Sequence, residues 1–232
     1  MTNTAATRDG RRTAAAARRR EREKEIIAAT RELFDQAGVR DAQIEDIARA
    51  VGINRAIVYR HFSGKEEIFA LTLVLYLDEL RELLVAAGQS PGSLTERLTA
   101  VVTTFVQYGD AHPAFVDTAS TLMRQSGPDL LHEISESALF RLGRSMGSCL
   151  ATLTAILDEG NASGEFMVES PALLANTMYA SGLGALQLAR VGILVSESTP
   201  GVPSVSEVSA DQVRDYLVAA TLAMTKADAT RR

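Results

Sequence analysis

Arg55, Ala56, Tyr59 and Arg60 fall within six residues of one another and have the types a reader of duplex DNA needs. Guanidinium groups can meet guanine edges or phosphates, a small residue lets a backbone approach closely, and a phenol can bond to a phosphate or a base. They lie in the run Ile44-Glu45-Asp46-Ile47-Ala48-Arg49-Ala50-Val51-Gly52-Ile53-Asn54-Arg55-Ala56-Ile57-Val58-Tyr59-Arg60-His61-Phe62. If its apolar residues turn inward, these four are left on the open face of the second of two short helices. Such a helix pair needs a small residue at its closest approach, a glycine at the turn and apolar residues to hold the angle. Ala48, Gly52 and Ile53 with Val58 supply them.

The flanking sequence supplies elements to position this pair. Ile26, Ala29, Leu33 and Ala37 repeat at helical spacing, and Gly38 offers a left-handed stop. Asn54 occupies the N-cap position of the second short helix. Ser63-Gly64-Lys65-Glu66 reads as a capping box, Ser63 with Glu66, opening a long helix from Lys65 to about Ala87. The Gly88 to Ser93 stretch is followed by a fifth helix through Val101, Val102, Phe105 and Tyr108, and later breakers at His112-Pro113, Gly127-Pro128, Gly160 to Gly164, Ser170-Pro171 and Ser196 to Ser206 leave helix-length segments near 113–126, 129–160, 171–195 and 209–227. The run Gly192 to Val195 could be a strand, but no partner of matching pattern is evident. The expected fold class is all-α with about nine helices.

Ile47-Ala48, Gly52, Tyr59-Arg60-His61-Phe62 and Lys65-Glu66-Glu67-Ile68 resemble the N-terminal DNA-binding domain of TetR-family regulators over about residues 22–70. The resemblance implies a three-helix helix-turn-helix domain at 22–82, with its motif at 43–62, and a larger effector-binding and dimerisation domain at 83–232. Carried over residue by residue, it makes Arg55, Ala56, Tyr59, Arg60 and His61 candidates for DNA contact. Asn54 joins them, with Lys65 on a phosphate and Gln43 as a further candidate at the start of the preceding helix. Three departures stand out. Ala42 occupies the usual Thr or Ser cap, so that Asp41 is the expected substitute; Val39 replaces an aromatic; and Ile57 replaces a Thr or Ser.

The net charge of −5 argues against nucleic acid, but the charge is uneven: residues 1–70 hold 14 Lys and Arg against 11 Asp and Glu, and residues 71–232 hold 10 against 18. Residues 1–21 are rich in Ala, Thr and Arg with almost no large apolar side chain, so they read as a flexible basic arm. Its charge could attach to phosphates or merely solubilise. No run of 18 apolar residues and no charged start followed by an apolar stretch occurs, so a cytoplasmic bacterial protein without membrane span or signal peptide is expected. The single Cys149 permits no internal disulfide and reads as a small buried hydrophobe, and the Asn161-Ala162-Ser163 sequon has no meaning inside the cell.

Catalytic signatures fail their tests. His132-Glu133 begins like a zinc-binding helix but lacks the second histidine, and Gly182-Leu183-Gly184 has neither a preceding strand nor a third glycine. No nucleophile and base are paired, so neither an enzyme nor a metal or other cofactor is expected.

In the C-terminal part, Tyr76, Phe105, Tyr108, Phe115, Met123, Phe140, Met178 and Tyr179 exceed what thin helical packing needs. An apolar pocket for a hydrophobic or amphipathic effector is expected, with Tyr108, His112, Arg124 and Tyr179 as polar handles. The alternative is that the aromatics are plain core. A pseudo-palindromic double-stranded operator calls for a homodimer. The resemblance puts its interface on the last two long helices, where Ala180, Gly182, Gly184 and Ala185 would allow close approach and Leu183, Leu186, Leu217 and Leu222 would fill. Two functions follow: a ligand-responsive DNA-binding regulator, most simply a repressor, or a helical binding module that has lost operator specificity.

Overall fold

The structure, a computed structural model, describes residues 3–39 and 42–226, and side chains from residue 13 onward. These form ten α-helices and one β-hairpin: α1 (Asn3–Ala37), α2 (Ile44–Ala50), α3 (Arg55–His61), α4 (Lys65–Gly88), α5 (Leu94–Ala111), α6 (Pro113–Met123), α7 (Gly127–Glu133), α8 (Glu136–Ser163), α9 (Pro171–Val191), β1 (Ile193–Thr199), β2 (Val202–Glu207) and α10 (Ala210–Lys226). None of the helices is long and apolar enough to cross a membrane among the described residues.

The all-α expectation holds for the body of the molecule, and four local expectations need correction. Residues 3–21, read as a flexible arm, are the first part of α1. Residues 13–21 are exposed, but Ala14 to Ala17 and the Arg and Glu residues around them are strong helix formers. Arg19–Glu23 and Arg22–Glu25 pairs, at 2.9 and 2.8 Å, run along the helix surface. The segment 129–160 is two helices, because Ile134 is extended (φ −114, ψ 133) and Ser135 caps α8, its hydroxyl accepting from Ala138 N.

The run from Ile193 does have a strand partner. β1 and β2 pair antiparallel with Val195 opposite Val205, and Gly201, at φ +80, serves the turn. Pro203 disguised the second strand. It sits opposite Glu197, beside an irregularity in the register, where a missing N–H is tolerated. Finally, the Ser63 partner at the head of α4 is Glu67 rather than Glu66: Glu67 Oε2 accepts from Ser63 N and lies 2.6 Å from its Oγ.

α4 organises the molecule. Its first turns close the core of the N-terminal unit, where Ile26, Phe34, Ile47, Val58 and Phe62 are buried and Phe34 meets Phe69 edge-on at 4.9 Å. Its later turns bury Leu77, Leu80 and Leu84 among α5 and α8. Between the two stretches lies a polar network. The Tyr76 hydroxyl donates to Asp35 Oδ1 at 2.6 Å, and Arg31 covers the Tyr76 ring at 4.5 Å while pairing with Glu79. The Tyr108 hydroxyl reaches the Tyr76 carbonyl at 3.1 Å and Glu79 at 3.3 Å. Burial pushes both phenols' pKa values up. Burial would also raise Glu79, but the Arg31 hydrogen bond and charge outweigh it and hold the carboxyl below its usual range. The network ties α1 to α4 and α5.

Candidate nucleic-acid interface and effector cavity

α2 and α3 are each seven residues long, too short to persist without packing. Ile44, Ile47 and Ala48 bury one face of α2, and Val58 anchors α3. Gly52 turns the chain at φ +68, a conformation that a Cβ disfavours. Asn54 then caps α3, its side-chain oxygen accepting from Ile57 N at 3.0 Å, so this oxygen is engaged in the fold rather than free for a base. The N-cap of α2 is Gln43, whose N–H donates to Asp46 at 3.2 Å; the expected substitute, Asp41, lies outside the described residues.

The packing leaves Arg55, Ala56, Tyr59 and Arg60 exposed on α3 and Gln43 exposed ahead of α2. Arg55 is not loose. Its Nη1 donates to Glu45 Oε1 at 2.6 Å, its Nη2 to the Tyr59 hydroxyl at 3.3 Å, and its guanidinium lies 5.2 Å from the Tyr59 ring centre. Sequence reasoning missed Glu45; the signal was an acid on the neighbouring helix of the same motif. Among the described residues no ion pair engages Arg60. Lys65 is half-buried, its Nζ 5.0 Å above the Phe69 ring at the start of α4. His61 departs from the expected face. Its side chain is only 14% exposed, and Nδ1 is buried 3.5 Å from Glu23 of α1, so the ring is packed between helices.

The end of the helix-turn-helix unit is fastened to the body. Buried Glu67 takes the Ser63 contacts and a hydrogen bond from the Ser135 hydroxyl at the head of α8, and Ser63 Oγ lies 2.8 Å from the Glu133 carbonyl oxygen.

An apolar cavity of about 50 Å³ opens between α4, α5, α8, α9 and α10. Of the ten residues expected to form an effector pocket, Phe105, Met178 and Tyr179 line it. Tyr76, Tyr108 and His112 belong to the α1–α4–α5 network instead, His112 with its ring 4.4 Å from that of Tyr108, and Phe115 is packed against the same rings. Met123 is 53% exposed, Phe140 is 70% exposed, and Arg124 bonds to Thr121 at the surface, so these three point away from any shared pocket. The residues missed were Leu80, Leu84, Val101, Val102, Cys149, Leu150, Leu153, Ala175, Leu217 and Thr221. They are ordinary core types with no sequence signal. Cys149 is buried as expected, its thiol 3.1 Å from the Leu77 carbonyl oxygen and pushed up to about 12 by burial, with Asp78 adding to it.

The expected dimer residues divide. Leu183, Leu186 and Leu217 are buried within their own chain, and Leu222 packs partly against that core. Gly182 is covered by Phe105, so close that a Cβ would lie 2.6 Å from the ring. Ala180 and Gly184 are exposed on the outer face of α9, in line with Leu173, Leu188 and Val191.

The molecule is an all-α protein with α3 exposed at its surface, a long α4 shared by both parts and an apolar cavity in its body. Residues 26–71 match the family described as bacterial regulatory proteins, tetR family. The chain carries that family's helix-turn-helix domain. The HTH-type transcriptional activator FasR of Mycolicibacterium smegmatis is 29% identical over 90 residues, 39% of this chain and 41% of FasR. The chain thus spans about two-fifths of FasR. The HTH-type transcriptional regulator SrpR of Pseudomonas putida is 29% identical over 165 residues, 62% of this chain and 78% of SrpR. In fold, the chain is similar to the crystal structure of RolR in complex with resorcinol, with a TM-score of 0.66 at 17% identity over 90% of both chains.

Proposed function

We propose that this protein is a homodimeric, ligand-responsive transcription regulator that occupies a pseudo-palindromic operator and is released by a hydrophobic or amphipathic small molecule, acting as a repressor. The observation that carries this reading is that one helix serves both ends. The first turns of α4 brace the helix-turn-helix, and Leu80 and Leu84 of the same helix line the cavity. A molecule that widens the cavity leans on α4, and Glu67 with Ser135 would carry that displacement to the base of α3. Such a ligand acts only through its differential affinity for the two arrangements of the paired recognition helices. The complex of RolR with resorcinol is consistent with a small organic effector in this fold.

Purified full-length protein is to be mixed with fragmented genomic DNA and the retained fragments sequenced. A shared inverted repeat is the expected result, and retention without any sequence in common would sink the regulator reading. On the recovered site, Tyr59→Ala and Arg60→Ala should each weaken binding by about 1–3 kcal/mol. Lys65→Ala should lower affinity for all duplexes alike and reduce the salt slope by about one unit. Fluorescence anisotropy across a salt series separates these outcomes, and wild-type affinity in all three variants would contradict the assigned face.

A further inference from the structure

The cavity has an unsatisfied wall. Of the described residues that line it, only Tyr179 on α9, Thr221 on α10 and Cys149 carry a polar side-chain atom, and the Cys149 thiol is already engaged with the Leu77 carbonyl. Tyr179 OH and Thr221 Oγ1 are both buried, and among the described residues neither has a hydrogen-bond partner. Buried polar groups in folded proteins are almost always paired, so two orphans on neighbouring helices of one cavity need an explanation. Among the described residues no Lys, Arg, His, Asp or Glu lines the space. A carboxylate, phosphate or ammonium brought there would lose its hydration with no opposite charge to replace it, whereas a neutral oxygen would lose little and would satisfy the orphans.

We propose that Tyr179 and Thr221 are the recognition pair for an uncharged effector, a hydrocarbon or aromatic body with one hydroxyl or carbonyl oxygen. This rests on the effector-cavity reading above. The volume of about 50 Å³ holds a few water molecules, so a larger body enters by displacing a side chain. Phe105 is placed to move. It is only partly buried, edge-on to Tyr179 at 6.0 Å, and it rests on the bare backbone of Gly182. Its displacement would separate α5 from α9.

The test uses full-length protein with 4-propylphenol, propylbenzene and 4-propylbenzoate at pH 8, which share a body and differ in the head. Binding is measured by calorimetry on wild type, Tyr179→Phe, Thr221→Val and the double variant. Wild type should bind the phenol about tenfold more tightly than the hydrocarbon, and more tightly than the benzoate by at least as much. The double variant should lose the preference for the phenol while keeping its affinity for propylbenzene. Without ligand, neither single substitution should lower the Tm, because no hydrogen bond is lost. Equal binding of phenol and hydrocarbon, tightest binding of the benzoate, no binding of any probe, or a fall in Tm on removing either hydroxyl overturns the proposal. Retention of genomic fragments by the same preparations is scored separately, so a failure of the regulator reading is distinguishable from a failure of the ligand class.

Discussion

Arg55, a DNA contact in the proposed reading, is held in place before any partner arrives. Glu45 and Tyr59 hold its guanidinium in one orientation, so less side-chain entropy would be lost if the fork met a guanine edge. On the same reading Glu45 would set a negative charge beside the phosphates and penalise every duplex that offers Arg55 nothing to read. Glu45→Gln should therefore raise affinity for a scrambled duplex and cut the ratio of operator to scrambled binding by about tenfold, the worth of one base contact. Anisotropy titrations on both duplexes at fixed salt would show it, and an unchanged ratio would mean that Glu45 is a bystander. The open face of α3 was readable from residue types at helical spacing. The packing of His61 was not, because it depends on Glu23, which approaches from α1.

At the scale of elements, α1 is the clearest departure from expectation. A segment poor in large apolar residues reads as unstructured by the burial criterion, yet helix propensity and surface ion pairs act without burial and extend α1 back to Asn3. Deleting residues 1–20 should lower the ellipticity per mole at 222 nm by the share of the helical residues removed, and should weaken DNA binding mainly at low ionic strength. An unchanged molar signal would return the segment to a flexible arm. The hairpin between α9 and α10 was hidden for a related reason. Strand pairing is a relation between two runs, and Pro203 made the second run look like a breaker.

In the molecule as a whole, α9 has two faces of opposite use. Leu183 is buried, whereas nothing lies within 4 Å of a Cβ placed on Gly184, whose face continues through Leu173, Ala180, Leu188 and Val191, with Tyr216 exposed on the adjoining α10. An apolar outer stripe on two packed helices is what a two-fold partner would cover. Light scattering at micromolar concentration should give a dimer. Gly184→Arg should give a folded monomer, since position 184 is exposed and nothing among the described residues lies within 4 Å of a Cβ there. Leu183→Ala should instead cost about 2–5 kcal/mol of stability with the association surface intact. A dimer unaffected by Gly184→Arg would move the interface elsewhere.

The sequence alone determined what depends on neighbours within about four residues: the helices and most of their breaks, the Asn54 cap, the turn at Gly52, and the residues left on the open side of α3. These follow from backbone hydrogen bonding and the 3.6-residue period, and they carry the family resemblance with them. The tertiary structure decided which aromatics line the cavity. Tyr76, Tyr108 and Tyr179 are the same residue type on similar helices, but the first two are held by Asp35 and by Glu79 with the Tyr76 carbonyl, whereas Tyr179 lines the cavity and its buried hydroxyl has no hydrogen-bond partner among the described residues. The cavity is drawn from five helices between Leu80 and Thr221, and which side of each helix faces it is set by the packing of the others, an interaction between residues far apart in the chain.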